Sequence, residues 1–396
     1  MKDVFLNEMG VVCALGGDAD SVRHALFDTR PPANAATEAV TPGRPLVLGR
    51  VTTPLPAMDD MPVELRGRNN ALLRQAYAQI APAVAAVIER HGPARVAVVL
   101  GTSTSGIGEA EHALRQRADG QPWPEGFHYA QQEMGTPARF VRHLSGARGP
   151  AWTVSTACSS SAKAMMSAAR LLRAGLVDAV IAGGADSLCR FTVEGFSALE
   201  SVSAQRCNPF SRHREGINIG EGAALFLMTR DEGEVRLSGW GETSDAHHLS
   251  APDPAGTGAI DAIRQALARA ELTPAQIDYV NLHGTATRQN DAMESRAVHA
   301  VFGAPVPASA TKPLTGHTLG AAGAIEAALC WLTLARNPAG LLPPHWWDGE
   351  ADPELPPLAL VAPGQVAART PRHLLSHSFA FGGSNAVLAF SKEAGR

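Results

Sequence analysis

The chain has 396 residues, 45% hydrophobic and 18% charged, which fits an ordered globular protein and excludes a disordered one. A formal net charge of -4 with no basic stripe speaks against general nucleic-acid binding. Aromatics make up only 5% against 38 glycines, so helices and sheets are expected to approach closely.

Cys13, Cys158, Cys189, Cys207 and Cys330 form no Cys-x-x-Cys pair, so neither a zinc knuckle nor a disulfide framework is expected. The opening residues, through Gly17, carry acids and no long apolar core, and no uninterrupted run of about 18 apolar residues follows. Neither a secretory signal nor a membrane span is expected, and the chain reads as cytoplasmic.

Val4–Leu6 begins a strand, Gly10–Gly17 turns towards a helix at Asp20–Phe27, and residues 30–62, rich in Pro and Gly, read as a surface excursion. A helix is expected over Asn69–Arg90, kinked or split at Pro82. Val96–Leu100 is a β-rich run ending in the turn GTSTSGIG, and polar helices follow at Glu109–Arg117 and Gln131–Leu144. Thr153–Gly175 reads as a β run, a cluster of small residues, and a helix from Ala162 that Gly175 stops. Cys158 lies at that junction, where free backbone N–H groups and the helix dipole favour negative charge, so a lowered thiol pKa is expected. Read alone, Cys158 is better explained as a small buried hydrophobe; the rest of the chain reverses that.

DAVIAGGADS is a buried strand reaching Gly183 and Gly184, and another strand covers Ala223–Met228, with Val235–Trp240 as its antiparallel neighbour. Thr257–Ala270 is helical, Asp278–Leu282 is a strand ending in HGTATRQND, and Met293–Val301 is a helix. The strand Val306–Ala310 leads into TKPLTGHTLGAAGAIEAALCWLTLAR, helical from near Leu319. That order of β run, small polar turn and Ala-rich helix repeats the Cys158 region, a weak internal duplication. Strands near Leu358–Val361, His373–Ser376 and Asn385–Phe390 follow, with HSFAFGGSN between the last two. The alternation implies α/β layers. His283 and His317 sit in turns flanked by Gly and hydroxyl residues, and Cys plus His is the minimal pairing for a thiol nucleophile.

On four ordered motifs, TACSSS, HGTATRQND, TKPLTGHTLGAAGAIE and FAFGGSN, nearly the whole chain resembles the elongating β-ketoacyl-acyl carrier protein synthases of the thiolase superfamily. The resemblance implies an α/β, thiolase-like fold of two pseudo-symmetric layered αβαβα halves, residues 1–240 with the nucleophile and 241–396 with the histidines. It implies that Cys158 takes the acyl chain as a thioester and that His283 and His317 promote decarboxylation of malonyl-carrier protein. Lys312 and Glu326 support the histidines, and the N–H groups of Cys158 and Phe381 form an oxyanion hole. Glu326 fits such a role, because it interrupts an apolar helix where an unpartnered charge is costly.

By the same resemblance, Thr285 and Thr287 contact the phosphopantetheine arm, Phe379 and Phe381 form a gate, and Ile107 and Phe196 line the acyl pocket. Arg66 and Arg68 match carrier-docking positions. No cofactor beyond the carrier's phosphopantetheine is implied, and no metal: the Asp245, His247 and His248 pattern recurs in the family without one. The partners implied are an acyl carrier protein and a second subunit, either the same chain or a chain-length-factor-like homologue, joined through Ala151–Val154. Pro313, Ala380 and Arg288-Gln289-Asn290 depart from the usual motifs and point away from primary fatty-acid synthesis; NIGEGAA and GGADSLCR resemble aryl-polyene synthases. A thiolase would need a second catalytic cysteine near the C-terminus, and a non-catalytic chain-length factor usually lacks the nucleophile.

Overall fold

The computed structural model describes residues 3–32, 36–37 and 40–392. The strands of the N-terminal half are β1 (Phe5–Val12), β2 (Ala36–Thr37), β3 (Leu46–Val47), β4 (Val96–Gly101), β5 (Ala151–Val154), β6 (Ala179–Asp186) and β7 (Gly222–Thr229). Those that follow are β8 (Val235–Ser244), β9 (Tyr279–Asn281), β10 (Pro307–Ser309), β11 (Ala359–Leu360), β12 (His373–Ala380) and β13 (Ser384–Lys392). Helices α1 (Ala19–Leu26), α2 (Arg68–His91), α3 (Ile107–Ala118), α4 (Thr136–Ser145), α5 (Ser160–Arg173) and α6 (Arg190–Ala198) precede β7. Helices α7 (Thr257–Ala270), α8 (Arg288–Phe302), α9 (Lys312–Thr315) and α10 (Ala322–Ala335) complete the set.

Eleven strands form one sheet, in the order β11-β10-β9-β12-β13-β8-β1-β7-β6-β4-β5. It consists of two half-sheets that meet between β1 and β8 at one register pair, Phe5 with Arg236. In β5-β4-β6-β7-β1 the first three strands are parallel and the next two alternate; β10-β9-β12-β13-β8 repeats that order and those directions. The helices recur too: α2 and α7 follow the first strand of each half, and α5 and α10 precede β6 and β12. This recurrence is the internal repeat expected from the sequence.

Helix α2 packs outside the first half-sheet and α7 outside the second, while α5 and α10 touch each other between them. The central core accordingly mixes Met165, Met166 and Leu172 of α5, Ile325 and Leu329 of α10, and residues of both half-sheets. Small side chains make this contact close: a Cβ at Gly323 would lie 2.8 Å from that of Ala162. By length and composition α2 could cross a membrane, but Leu72, Leu73, Ala76 and Ile80 bury it against the core.

Several expectations change. Val235–Trp240 lies within β8, which pairs with β13 and not β7, because β1 and β6 flank β7. The boundary expected at residue 240 falls inside that strand. Helix α2 runs unbroken through Pro82; one lost hydrogen bond, about 3 kcal/mol with its clash, is offset by burial along the rest of the helix. The 30–62 excursion buries Leu46, Val47, Leu48 and Val51, with the rest of its course partly outside the described residues. Residues 131–144 divide into a 3-10 turn, Tyr129–Gln132, and α4. Helix α8 starts at Arg288, well before Met293, and α6 was not foreseen.

Candidate active site

Cys158 stands in the turn between β5 and α5, two residues before the first helical residue. Ala157 takes a left-handed φ of 54°, a strained conformation that the local hydrogen bonds hold. Ser160 Oγ donates to the Ala157 carbonyl at 2.5 Å and accepts from the Thr156 N–H at 2.9 Å. The thiol that results is buried.

His283 follows β9. The buried Glu294 of α8 accepts the N–H groups of His283 and Gly284, both at 2.7 Å, and lies 3.0 Å from His377 Nδ1. His317 follows α9, in the counterpart of the Cys158 turn. Its N–H donates to the Asn218 carbonyl at 2.6 Å and its carbonyl accepts from the Gly220 N–H at 2.9 Å. Asp186, at the end of β6, ties the halves together by accepting from Ser103 N–H, Thr104 N–H and, at 2.6 Å, Gly320 N–H. Glu294, His377, Asp186 and Asn218 escaped the sequence reading; Glu294 lies on the buried face of α8, a helix whose other face is exposed, so no local signal marks it.

These loops bring Cys158, His283 and His317 together, with their donor atoms within 4.8 Å of one another, a spacing that a metal ion could also use. His317 Nε2 lies 3.0 Å from Cys158 Sγ, a hydrogen bond. The two imidazoles meet edge to face at 5.3 Å. Lys312 Nζ donates to Glu326 Oε1 at 2.6 Å and to the His283 carbonyl at 2.5 Å, and lies 3.3 Å from His283 Nδ1. An ammonium can only donate, so it favours the tautomer whose proton is on Nε2.

Burial dominates the electrostatics. It pushes the Cys158 thiol up to about 12, although Lys312 and the backbone N–H groups of Phe381 and Cys158 pull the other way. The lowered thiol pKa expected from the helix end is thus reversed, because desolvation of the thiolate outweighs those groups. Both histidines are held well below the usual imidazole range, first by burial and then by the charge of Lys312. Burial raises Glu326 to about 7 against the attraction of Lys312.

Cys158 and the histidines open into a cavity of about 60 Å³. Thr285, Thr287, Phe196, Phe379 and Phe381 also line it, and the two threonine hydroxyls are 2.9 Å apart. Phe196 and Phe381 stand 5.4 Å apart across it. Ile107, at the start of α3, is not among its lining residues. Neither are Arg66 and Arg68. Arg68 grips the buried Glu221 through two nitrogens, at 2.6 and 2.7 Å, and Arg66 donates to the carbonyls of Met61 and Asp59. Both arginines are thus held by partners within this chain, while the Arg68 side chain stays 41% exposed.

Asp245 accepts the Asn385 side-chain amide at 2.6 Å, and His248 Nδ1 accepts from the N–H groups of Ser250 and Ala251. These residues brace loops. Cys330 is buried in α10, with its thiol pushed far up by burial.

The family model described as "Beta-ketoacyl synthase, N-terminal domain" matches residues 71–233, and "Beta-ketoacyl synthase, C-terminal domain" matches residues 235–345. Nodulation protein E of Rhizobium meliloti (strain 1021) is 30% identical, with 99% of each chain covered. Putative polyketide beta-ketoacyl synthase 1 of Streptomyces cyaneus is 35% identical over 77% of each. Among solved structures, the ketosynthase ApeO, in complex with its chain length factor ApeC from Xenorhabdus doucetiae, is similar at 44% identity and a TM-score of 0.90, over 99% of this chain and 98% of that one. The two-halved fold is thus thiolase-like, and the chain belongs to the β-ketoacyl synthase family, acyltransferases that lengthen acyl chains by decarboxylating Claisen condensation.

Proposed function

We propose that Cys158 carries the growing chain, that His283 and His317 drive decarboxylation of a malonyl thioester, and that the N–H groups of Cys158 and Phe381 hold the oxyanion. The observation that carries this reading is the 3.0 Å contact of Cys158 Sγ with His317 Nε2, beside His283 and facing the Phe381 N–H. With its thiol pushed up to about 12, Cys158 attacks as its proton passes to His317. The S–C bond forms, the bond to the carrier arm breaks, and the arm's sulfur takes the proton. Malonyl then loses CO₂ by C–C cleavage, and the electron pair enters an enolate that the His283 Nε2–H stabilises. The enolate carbon attacks the thioester carbonyl, and collapse of the oxyanion expels the Cys158 thiolate. That thiolate regains one proton from solvent, which balances the carboxylate charge lost as CO₂.

Room for the chain must be made, since the cavity beside Cys158 is only about 60 Å³. The side chains of Phe379 and Phe381 form the gate that moves, Phe381 lying 5.4 Å from Phe196 on the acyl-pocket side and Phe379 6.3 Å from His283. Thr285 and Thr287 receive the phosphopantetheine arm. The carrier docks on the neighbouring cleft of about 580 Å³, where Arg212, Arg288 and Arg296 face an acidic partner. That cleft shares Pro252 and Gln289 with the Cys158 cavity. No further cofactor enters this chemistry.

The pathway is a specialised one, of the aryl-polyene or polyketide kind, in the cytoplasm. The similarity to ApeO and the departures at Arg288-Gln289-Asn290 support it. The ApeO complex also supports a chain-length-factor-like partner, and β5, half-buried at the free edge of the sheet, is the strand on which a second subunit would sit. The test supplies acyl- and malonyl-carrier protein, with and without a candidate partner, and follows CO₂ and β-ketoacyl product. Absence of product under every combination rejects the reading.

A further inference from the structure

We propose that Lys163 is a positioning residue: through Ser384 it holds the turn that presents the Phe381 N–H to Cys158. This rests on the oxyanion role given above to that N–H. Residues 381–383 form the turn between β12 and β13, and both Gly382 and Gly383 take positive φ, 79° and 71°. Two adjacent glycines make such a turn soft, so the direction of the Phe381 N–H depends on outside anchors.

On one side the anchors are backbone groups. Gly382 N–H donates to the Leu249 carbonyl at 2.7 Å, and Asp245 N–H donates to the Gly383 carbonyl at 2.9 Å. On the Cys158 side they are side chains. Lys163 Nζ donates to Ser384 Oγ at 2.7 Å, and Ser159 Oγ lies 3.1 Å from that same oxygen. Ser159 also donates to the Thr156 carbonyl at 2.9 Å. Ser159 and Lys163 are four residues apart, joined by the helical bond from Lys163 N–H to the Ser159 carbonyl at 3.0 Å, so both reach Ser384 from one face of α5. The nucleophile turn and the oxyanion turn are thereby clamped to each other.

The choice of lysine is informative. Its side chain is half-buried, and burial lowers its pKa from the usual range. Among the described residues no carboxylate lies within ion-pair distance of it; Glu242 attracts it from farther off, and its ammonium donates to the Ser384 hydroxyl. A charge-assisted bond is roughly twice as strong as a neutral one, which suits an anchor on a donor that must not drift.

The test separates two reactions of Cys158 in the intact enzyme with whatever partner subunit it requires. Acyl loading from a carrier builds an oxyanion, whereas alkylation by iodoacetamide is a displacement at saturated carbon and builds none. Lys163→Met is expected to slow the loading step at least about tenfold, the scale of a small misplacement. KM for the carrier and the alkylation rate should stay within about twofold, and Lys163→Arg should recover most of the loss. Ser384→Ala provides a second route: it should show the same split, and the double variant should be no slower than either single one. Unchanged loading in both variants, or loading and alkylation falling together without rescue, overturns the proposal. If the wild-type enzyme itself loads no acyl chain, the Cys158 reading fails with it; if it loads normally, only the assignment of Lys163 fails.

Discussion

The Nε2 of His317 lies 3.0 Å from the Sγ of Cys158, a contact between residues 159 positions apart. Cys158 comes from the turn before α5 and His317 from the turn before α10, the equivalent helices of the two halves. Because α5 and α10 pack on each other between the half-sheets, the pseudo-symmetry itself delivers the pair. A thiol held by burial up to about 12 gains its proton acceptor from the other half of the molecule.

The pH dependence of Cys158 alkylation follows. With the thiol up to about 12, the thiolate fraction climbs about tenfold per pH unit throughout the neutral range. In His317→Ala, which lacks that proton acceptor, the logarithm of the iodoacetamide rate should therefore rise with a slope near one from about pH 7 to pH 9. A plateau in that range would show a thiolate stabilised by the helix end instead.

The two histidines should separate. His283→Ala is expected to lose malonyl decarboxylation by about a hundredfold, the usual size of one preorganised donor, while acyl loading is largely kept. His317→Ala should lose both, since its Nε2 is bonded to the thiol. Burial keeps both imidazoles neutral until well below pH 6.5, so the acid limb of wild-type decarboxylation belongs below that value. Equal loading by both variants would remove His317 from the first step.

Lys312 and Glu326 form a buried pair, each 2% exposed. Breaking it with Lys312→Met should cost about 3–5 kcal/mol of stability, because the Glu326 carboxylate is left without its partner. It should also slow decarboxylation, because the proton of His283 is no longer directed to Nε2. Thermal unfolding and CO₂ release measure the two effects separately. An unchanged Tm would contradict the pairing.

The arginines divide by role. Arg288→Glu with Arg296→Glu should raise KM for carrier-bound substrates and leave a small-molecule thioester unaffected, with the effect fading in high salt. Arg68→Glu should instead lower Tm and impair both substrates, on the order of 2 kcal/mol, because Glu221 is buried beneath it. The reverse pattern would return docking to Arg68.

Much of this was legible in the chain. Cys158, His283, His317, Lys312 and Glu326 were named from short motifs that resemble a known family's; the first three sit in turns beside a strand or helix end, whereas Glu326 lies inside the apolar helix α10. The sheet order was less accessible: β8 follows β7 in sequence, yet β1 separates them, and pairing between distant strands leaves no mark on local periodicity. The thiol's pKa was misjudged because a helix end is visible in sequence whereas burial by the opposite half is not. Arg68 looked like a surface charge because its partner, Glu221, lies 153 residues away. Lys163 drew no attention, since its meaning depends on Ser384 in the other half.

The most direct measurement is mass spectrometry of the peptide containing Cys158 after exposure to acyl-carrier protein and then to malonyl-carrier protein. The account predicts an acyl mass on Cys158 in the first stage, absent in Cys158→Ala, and its disappearance in the second stage with release of CO₂ and a β-ketoacyl carrier. Acyl mass on another residue, or an acyl group on Cys158 that persists after malonyl is added, would contradict it.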